Sequence, residues 1–179
     1  NARVVVDRLR AFRAVVPGSV ELVFLQQCGR GSVQNLYNFR GTAKAVLASQ
    51  HDVGAPNTYY EPTLRWLVAH PDASGADLAS RIMADDRDFV TYCCVDGERL
   101  GELPRQLEPV VRTLLEDNAP SPPPVELAPC FVAGGEDNFD LLAWLEAAFR
   151  KDRRSPTALD EFSQWIRDRL IVRCATSPH

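Results

Sequence analysis

The chain has 179 residues, of which 45% are hydrophobic and 25% are charged, and its formal net charge is −4. These values are typical of a globular protein, and the length suits one domain, residues 1–179, with a sizeable core. The acidic balance argues against a nucleic-acid partner, and no apolar run approaches the roughly 20 residues that a membrane-spanning helix needs.

The first half of the chain alternates between predicted helices and short predicted strands. Apolar residues recur at helical spacing over residues 4–16, whereas residues 20–25 form a short apolar run that is typical of a buried parallel strand. Ser32 can cap a helix that continues to residue 39. Residues 43–48 predict a second buried strand, followed by a loop with glycine and proline.

The second half continues this alternation. Predicted strands lie at residues 89–95 and 125–132, and a proline-rich connector at residues 119–124 precedes the second of them. Asp137 is expected to cap the helix that follows it. The predicted helices are residues 62–70, 74–84, 100–118, 137–149 and 157–174. Strands that alternate with helices indicate an α/β fold with a largely parallel sheet.

The chain has five cysteines and no metal-binding pattern among them. No two form a CxxC pair, and no cluster of cysteine and histidine has zinc-like spacing. Cys93 and Cys94 lie in an apolar run, where buried free thiols are expected. An odd number of cysteines without a regular framework suits a reducing compartment, so a cytoplasmic location is expected rather than a secreted one.

Cys28 has the local surroundings of a nucleophile. It follows the predicted strand at residues 20–25, close to Gly29, Gly31 and a predicted helix start. A helix N-terminus favours a thiolate, and the backbone N–H groups of Cys28 and Gly29 could hold an oxyanion. The alternative is that Cys28 is a small buried residue, as most cysteines are.

Several short motifs agree in order and spacing with one family. The segment Leu-Gln-Gln-Cys-Gly-Arg-Gly-Ser-Val at residues 25–33 resembles the nucleophile segment of the clostripain-like cysteine peptidases, which have a caspase-like fold. Residues 46–50, Val-Leu-Ala-Ser-Gln, are similar to the family's next strand, and the aromatic pair Tyr59-Tyr60 follows. Later segments at residues 92–96 and 138–142 extend the resemblance over nearly the whole chain.

The resemblance implies a three-layer α/β/α domain with a mostly parallel central sheet, of which this chain is the C-terminal, cysteine-bearing part. It also implies a Cys-His dyad whose histidine precedes the cysteine, and His51, His70 and His179 all follow Cys28. The partner is therefore expected to be an upstream, histidine-bearing chain of the same precursor, separated by internal cleavage just before Asn1. Protein or peptide substrates are implied, no cofactor is certain, and calcium is possible.

The resemblance also bears on P1, the substrate residue whose carbonyl is attacked. Family members that cut after Arg or Lys are expected to carry acidic residues where this chain has Gln26 and Pro56. Asp52 or Glu61 could substitute, and the resemblance still favours a basic P1 residue. The expected substrate-binding residues are Gln26, Ser49, Gln50, Asp52 and Tyr60, and His51 could also contact substrate.

Two other functions are compatible with the sequence. One is a catalytically silent caspase-like domain used for assembly, which the neutral residues at positions 26 and 56 favour. The other is an unrelated doubly wound α/β domain in which Cys28 is structural.

Overall fold

A computed structural model describes residues 2–16, 20–115, 131–133, 136–151 and 154–177. It divides into two compact units, residues 1–101 with 170–179, and residues 102–169. The helices are α1 (Ala2–Val15), α2 (Val33–Asn38), α3 (Tyr60–Ala69), α4 (Gly75–Asp85), α5 (Leu103–Leu115), α6 (Leu141–Lys151) and α7 (Thr157–Trp165), with a 3-10 turn at Arg99–Glu102 and a π-helical turn at Ile166–Leu170. The strands are β1 (Leu22–Leu25), β2 (Ala45–Ala48), β3 (Thr91–Asp96), β4 (Phe131–Ala133), β5 (Glu136–Asn138) and β6 (Ile171–Thr176).

The first unit contains a four-stranded sheet in the order β1-β2-β3-β6. Strands β1 and β2 are parallel, whereas the β2–β3 and β3–β6 pairs are antiparallel. The predicted α/β class is confirmed, but the described sheet is not mostly parallel. The connection between β2 and β3 contains two helices, α3 and α4, and it returns the chain to the end of β2 at which it left. Strand β3 therefore runs in the opposite direction, and Ala48 at the end of β2 pairs with Cys93 near the start of β3.

Strand β2 and helix α4 form the centre of the first unit. All four residues of β2 are buried, which fits their continuous apolar sequence. Helix α4 begins with a capping box between Ser74 and Asp77, whose hydrogen bonds hold the pKa of the Asp77 carboxyl below its ordinary value. Its buried face carries Ile82, and burying such a side chain stabilises by roughly 1.5–3 kcal/mol. Gly75 admits no side chain, because a Cβ would collide with the Glu21 carbonyl.

The predicted helices at residues 4–16, 32–39, 62–70 and 74–84 are confirmed as α1 to α4, and the predicted strands at residues 20–25, 43–48 and 89–95 as β1 to β3. The predicted helix at residues 100–118 is α5, preceded by the 3-10 turn. Of the strand predicted at residues 125–132, only the last two residues are described, and they belong to β4. The connector at residues 119–124 lies outside the described residues.

Two predictions near the C-terminus are wrong. Asp137 lies in β5, and it is Asp140 that caps α6 by accepting a hydrogen bond from the Ala143 N–H at 2.7 Å. The helix predicted at residues 157–174 ends at the π-helical turn, after which β6 pairs with β3. The apolar stripe with helical spacing stops at Leu170, and the β-branched residues that follow it favour a strand.

The predicted free thiols are confirmed only for Cys94. Cys93 and Cys174 occupy opposing positions in β3 and β6, with their Cα atoms 4.1 Å apart, and are joined by a disulfide. Cys94 is free and buried, and burial raises its pKa to about 12. The sequence placed Cys174 in a helix, so this pairing could not be foreseen. Cys130 lies outside the described residues.

The second unit contains α5, α6 and α7 with the β4–β5 hairpin. Helix α7 contacts both α5 and α6. Its buried side chains Leu159 and Phe162, together with Val110 and Leu114 of α5, are nearly inaccessible to solvent. These residues recur at helical spacing, and a small apolar core therefore holds this unit together.

Candidate functional site

Cys28 lies in the loop between β1 and α2, at the carboxyl end of β1, and its thiol is exposed. The chain turns sharply after β1, where the Gln27 N–H donates to the Leu25 carbonyl at 2.9 Å. Gly29 has a φ of 67°, which favours glycine. Ser32 caps α2 as predicted, four residues after Cys28, and α2 has only six residues.

The loop that follows β2 is bonded to the loop that carries Cys28. The Gly29 N–H donates to the His51 carbonyl at 3.1 Å, and the Gly31 N–H donates to the Ser49 carbonyl at 2.7 Å. Gly31 has no room for a side chain, because a Cβ would lie 2.8 Å from the Gln50 nitrogen. Because β1 and β2 are parallel, their carboxyl ends meet at one edge of the sheet, where functional groups collect in α/β proteins.

The sulfur of Cys28 is in contact with the backbone of Val53. The Val53 N–H donates to Cys28 Sγ at 3.4 Å, and Cys28 Sγ lies 3.8 Å from the Val53 carbonyl oxygen. The thiol can donate to this carbonyl, and its sulfur can accept from the N–H. Val53 itself pairs with Phe89 in an antiparallel bridge, which ties the loop to the start of β3.

Gln26 is fixed by two residues at the entrance to α3, Asn57 in the preceding loop and Tyr60 at the first position of the helix. Its amide nitrogen Nε2 donates to Asn57 Oδ1, and its oxygen Oε1 accepts a hydrogen bond from the Tyr60 hydroxyl at 3.0 Å. Two predicted binding residues, Gln26 and Tyr60, are therefore in contact, and Gln26 precedes Cys28 by two residues. Asn57 was missed by sequence reasoning, and its place just before the aromatic pair was the only signal.

The other predicted binding residues have different surroundings. Ser49 is completely buried, and its hydroxyl donates to the His51 carbonyl at 2.9 Å and accepts from the His51 N–H at 3.1 Å. It shapes the loop through these bonds, and its predicted contact with substrate stays a prediction. Gln50 and Asp52 are exposed in the same loop. Gly29, the predicted oxyanion donor, already donates its N–H to His51.

A buried carboxylate supports the loop that carries Asn57. Asp86 accepts hydrogen bonds from the Tyr92 hydroxyl at 2.8 Å and from the Thr58 hydroxyl at 3.2 Å. Burial, and then the bond to Asp86, raise the pKa of Tyr92 far above its ordinary value. Thr58 is the neighbour of Asn57, so this cluster fixes where the loop approaches Gln26.

The histidines and possible metal ligands add little to the site. His70 ends α3, stacks on Trp66 and bonds the Trp66 carbonyl through Nδ1 at 2.8 Å, as expected of a helix-end residue. His179 lies outside the described residues. Within those residues no group of three or more His, Cys, Asp and Glu side chains could hold a metal ion. The described helices include none long and apolar enough to cross a membrane.

Comparison with known proteins gives a match in structure but not in sequence. No protein-family model matches the chain, and no characterised protein matches its sequence. A solved structure of a B. fragilis cysteine protease superposes on 99% of this chain and 74% of its own, with a TM-score of 0.71 and 12% sequence identity. At this identity the likeness establishes a shared α/β fold.

Proposed function

We propose that this chain is the nucleophile-bearing part of a cysteine endopeptidase, with Cys28 as the nucleophile. The observation that carries the proposal is the exposed Cys28 sulfur at the meeting point of two parallel strand ends, with the Val53 N–H directed at it. The structural likeness to a cysteine protease supports the same reading. A nucleophilic thiol must be accessible to substrate, and the Cys28 thiol is exposed.

The reaction would proceed by acyl transfer. The Cys28 thiolate attacks the P1 carbonyl carbon, and the carbon–oxygen π electrons move to the oxygen. The amide C–N bond then breaks, and the leaving amine takes a proton from a histidine imidazolium. Water, deprotonated by the same imidazole, hydrolyses the thioester and returns Cys28. The N–H groups of Cys28 and Gly29 would hold the oxyanion, which requires Gly29 to leave the His51 carbonyl.

We infer that the histidine comes from an upstream chain of the same precursor, released by internal cleavage. Strand β1 is at the edge of the described sheet, and within the described residues nothing pairs with its outer side. Its residues are only half-buried, whereas those of β2 are fully buried. A further strand on this side would bury β1 and bring a side chain to the same edge of the sheet as Cys28.

Binding of a basic P1 residue, which the resemblance favours, would depend on the carboxylate of Asp52. Glu61 is engaged in an ion pair with Arg65 at 2.8 Å on the exposed surface of α3. Asp52 is exposed and forms no ion pair within the described residues. It is adjacent to Val53, which contacts Cys28. Asp52 is thus the carboxylate whose removal tests a preference for Arg or Lys.

A catalytically silent assembly domain is the second candidate. It is favoured by the hydrogen bond from the Gly29 N–H to His51, because this donor would otherwise serve the oxyanion.

Peptide cleavage decides between the two. The chain co-expressed with its upstream segment should cleave a mixed peptide library, and the chain alone should not. Cleavage by the chain alone would refute the split dyad. A stable complex with the upstream segment that cleaves nothing would favour the assembly domain.

A further inference from the structure

The turn between α4 and β3, residues 86–90, supports the segment that contacts the sulfur of Cys28. We call it the α4–β3 turn. Val53 pairs with Phe89 of this turn in an antiparallel bridge. The backbone bonds on either side of the bridge run from the Gly54 N–H to the Asp88 carbonyl and from the Val90 N–H to the Asp52 carbonyl. In such a pair the N–H and carbonyl of Val53 itself point away from the turn, and both lie against Cys28 Sγ.

The same turn holds the segment that fixes Gln26. The Thr58 hydroxyl donates to Asp86 Oδ1 at 3.2 Å and accepts from the Arg87 N–H at 2.9 Å. Its neighbour Asn57 accepts a hydrogen bond from the Gln26 side chain. The segment that contacts Cys28 and the segment that contacts Gln26 are therefore both bonded to one turn.

Asp86 lies at the centre of this arrangement. It is only 6% exposed, and its carboxylate accepts hydrogen bonds from the Thr58 hydroxyl, from the Asp88 N–H at 3.1 Å and from the Tyr92 hydroxyl of β3 at 2.8 Å. Because a buried carboxylate without partners is strongly unfavourable, these bonds keep the turn, β3 and the Thr58 segment in one relative position. Burial and Asp86 raise the pKa of Tyr92, and Cys28 adds a smaller contribution, so the cluster lies within electrostatic range of the thiol.

We propose that Asp86 is a positioning residue for the reaction at Cys28. Through the α4–β3 turn it holds both Val53, which contacts the sulfur, and the segment that fixes Gln26, and so it sets the geometry in which the sulfur meets the P1 carbonyl. This inference rests on the proposed peptidase function. Attack requires the reacting atoms to be aligned at about 3–3.5 Å, and a displacement of about 1 Å can slow a reaction by roughly 100-fold.

The test uses the active enzyme, which is this chain co-expressed with its upstream segment, and a peptide that the parent cleaves. Thr58→Val keeps the shape of the side chain and removes the hydroxyl, so Asp86 and the Arg87 N–H each lose a partner. We expect kcat to fall about tenfold or more, with KM within about threefold of the parent, because alignment is lost and binding is retained. Thr58→Ser restores the hydroxyl and should return kcat to within about threefold of the parent.

Thr63→Val is the matched control. The Thr63 hydroxyl of α3 donates to Asp85 of α4 at 3.0 Å, and Asp85 keeps its ion pair with Arg81 when that hydroxyl is removed. The two variants thus lose the same kind of bond to neighbouring aspartates, but only Thr58→Val loosens the α4–β3 turn. We expect Thr63→Val to lower the melting temperature and to leave kcat unchanged.

Asp86→Asn gives a second test that does not require Thr58→Val to fold. Its amide oxygen can still accept from Thr58 and Asp88, but its nitrogen cannot accept from the Tyr92 hydroxyl. We expect kcat to fall about threefold or more, and inactivation by a peptidyl chloromethyl ketone to slow by the same factor. Alkylation by iodoacetamide should stay within about twofold of the parent, because this small reagent requires an exposed thiol and no alignment of a peptide. Thermal melting checks that each variant folds.

The outcomes separate this inference from the proposed function. The positioning role is overturned, and the peptidase left intact, by a kcat equal to that of the parent in both Thr58→Val and Asp86→Asn. An equal loss of kcat in Thr58→Val and Thr63→Val also overturns it, because it marks a structural role only, and so does a loss confined to KM. If the parent cleaves no peptide and its Cys28 does not react with the peptidyl chloromethyl ketone, the peptidase proposal fails and the positioning inference fails with it.

Discussion

Two sides of the same sheet hold cysteines in opposite situations. On the β1–β2 side the strands are parallel, two loops meet at their carboxyl ends, and Cys28 is exposed with a backbone N–H against its sulfur. On the β3–β6 side the strands are antiparallel, Cys93 is bonded to Cys174, and Cys94 is buried with a raised pKa. The proposed reactive cysteine and the cross-linked one thus follow strand direction, since parallel ends create a loop cluster and antiparallel register creates opposing side chains.

The strongest test of this comparison is to remove the sulfur of Cys28, on the proposed reactive side. Cys28→Ala should lower peptide cleavage by at least about 10³-fold, because the nucleophile is lost, while the melting temperature stays unchanged. Cys94→Ala is the matched control and should retain activity. Iodoacetamide labelling with peptide mapping should modify Cys28 and leave Cys94 unmodified. Equal labelling of both in the folded protein would contradict the assignment.

The stabilising side is tested by removing its cross-link. The disulfide joins residues 81 positions apart, so its loss should cost about 2–4 kcal/mol of the free energy of unfolding. Urea denaturation of Cys174→Ser without reductant measures this loss. The parent protein in reductant should match the variant, and labelling of Cys28 should be unaffected. A variant as stable as the oxidised parent would show that the bond does not stabilise this edge.

The contact between the two loops on the reactive side depends on Gly31. A methyl group there would lie 2.8 Å from the Gln50 nitrogen and 2.9 Å from the Ser49 carbonyl carbon, so Gly31→Ala must push the loops apart. We expect a loss of roughly 1–3 kcal/mol in unfolding free energy and a tenfold or larger fall in kcat/KM. Gly101→Ala is the matched control, because nothing lies within 4 Å of its Cβ position.

The last expected effect concerns pH and is confined to alkaline conditions. Burial raises the pKa of Cys94 from 9.0 to about 12, so the folded state favours the neutral thiol. Its contribution to stability is complete below pH 9 and is lost as the pH rises towards 12, because the unfolded thiol ionises first. Since tyrosines also titrate there, the measurement is the difference in unfolding free energy between the parent and Cys94→Ala across this range. A difference independent of pH would contradict the raised pKa.

The sequence predicted the structure of the β1–β2 side better than that of the β3–β6 side. The places of Cys28, Gln26 and Tyr60 could be predicted, because each lies in a short motif next to a strand or helix that the hydrophobic pattern predicts well. Strand β6 and the Cys93–Cys174 bond were missed, because a pairing between distant segments leaves no local signal. Asn57 was missed for the same reason: its partner, Gln26, is 31 residues away.

Ser49 shows a different limit. Its position in a motif after β2 suggested contact with substrate, but the residue is completely buried and bonded to His51. A motif predicts where a residue lies relative to a strand or helix, whereas the direction of its side chain depends on how the loop folds.

Gly75 has no room for a side chain, and this affects how a mutational screen of the protein should be interpreted. Because any side chain there collides with the backbone of Glu21, a library of random variants would lose substitutions at position 75 as completely as at position 28, the proposed nucleophile. The two losses have separate origins, since the first removes folded protein from the cell and the second leaves inert protein behind. Counting surviving variants alone would make a packing glycine look catalytic. A screen that scores cellular abundance beside activity would place the two positions in different classes.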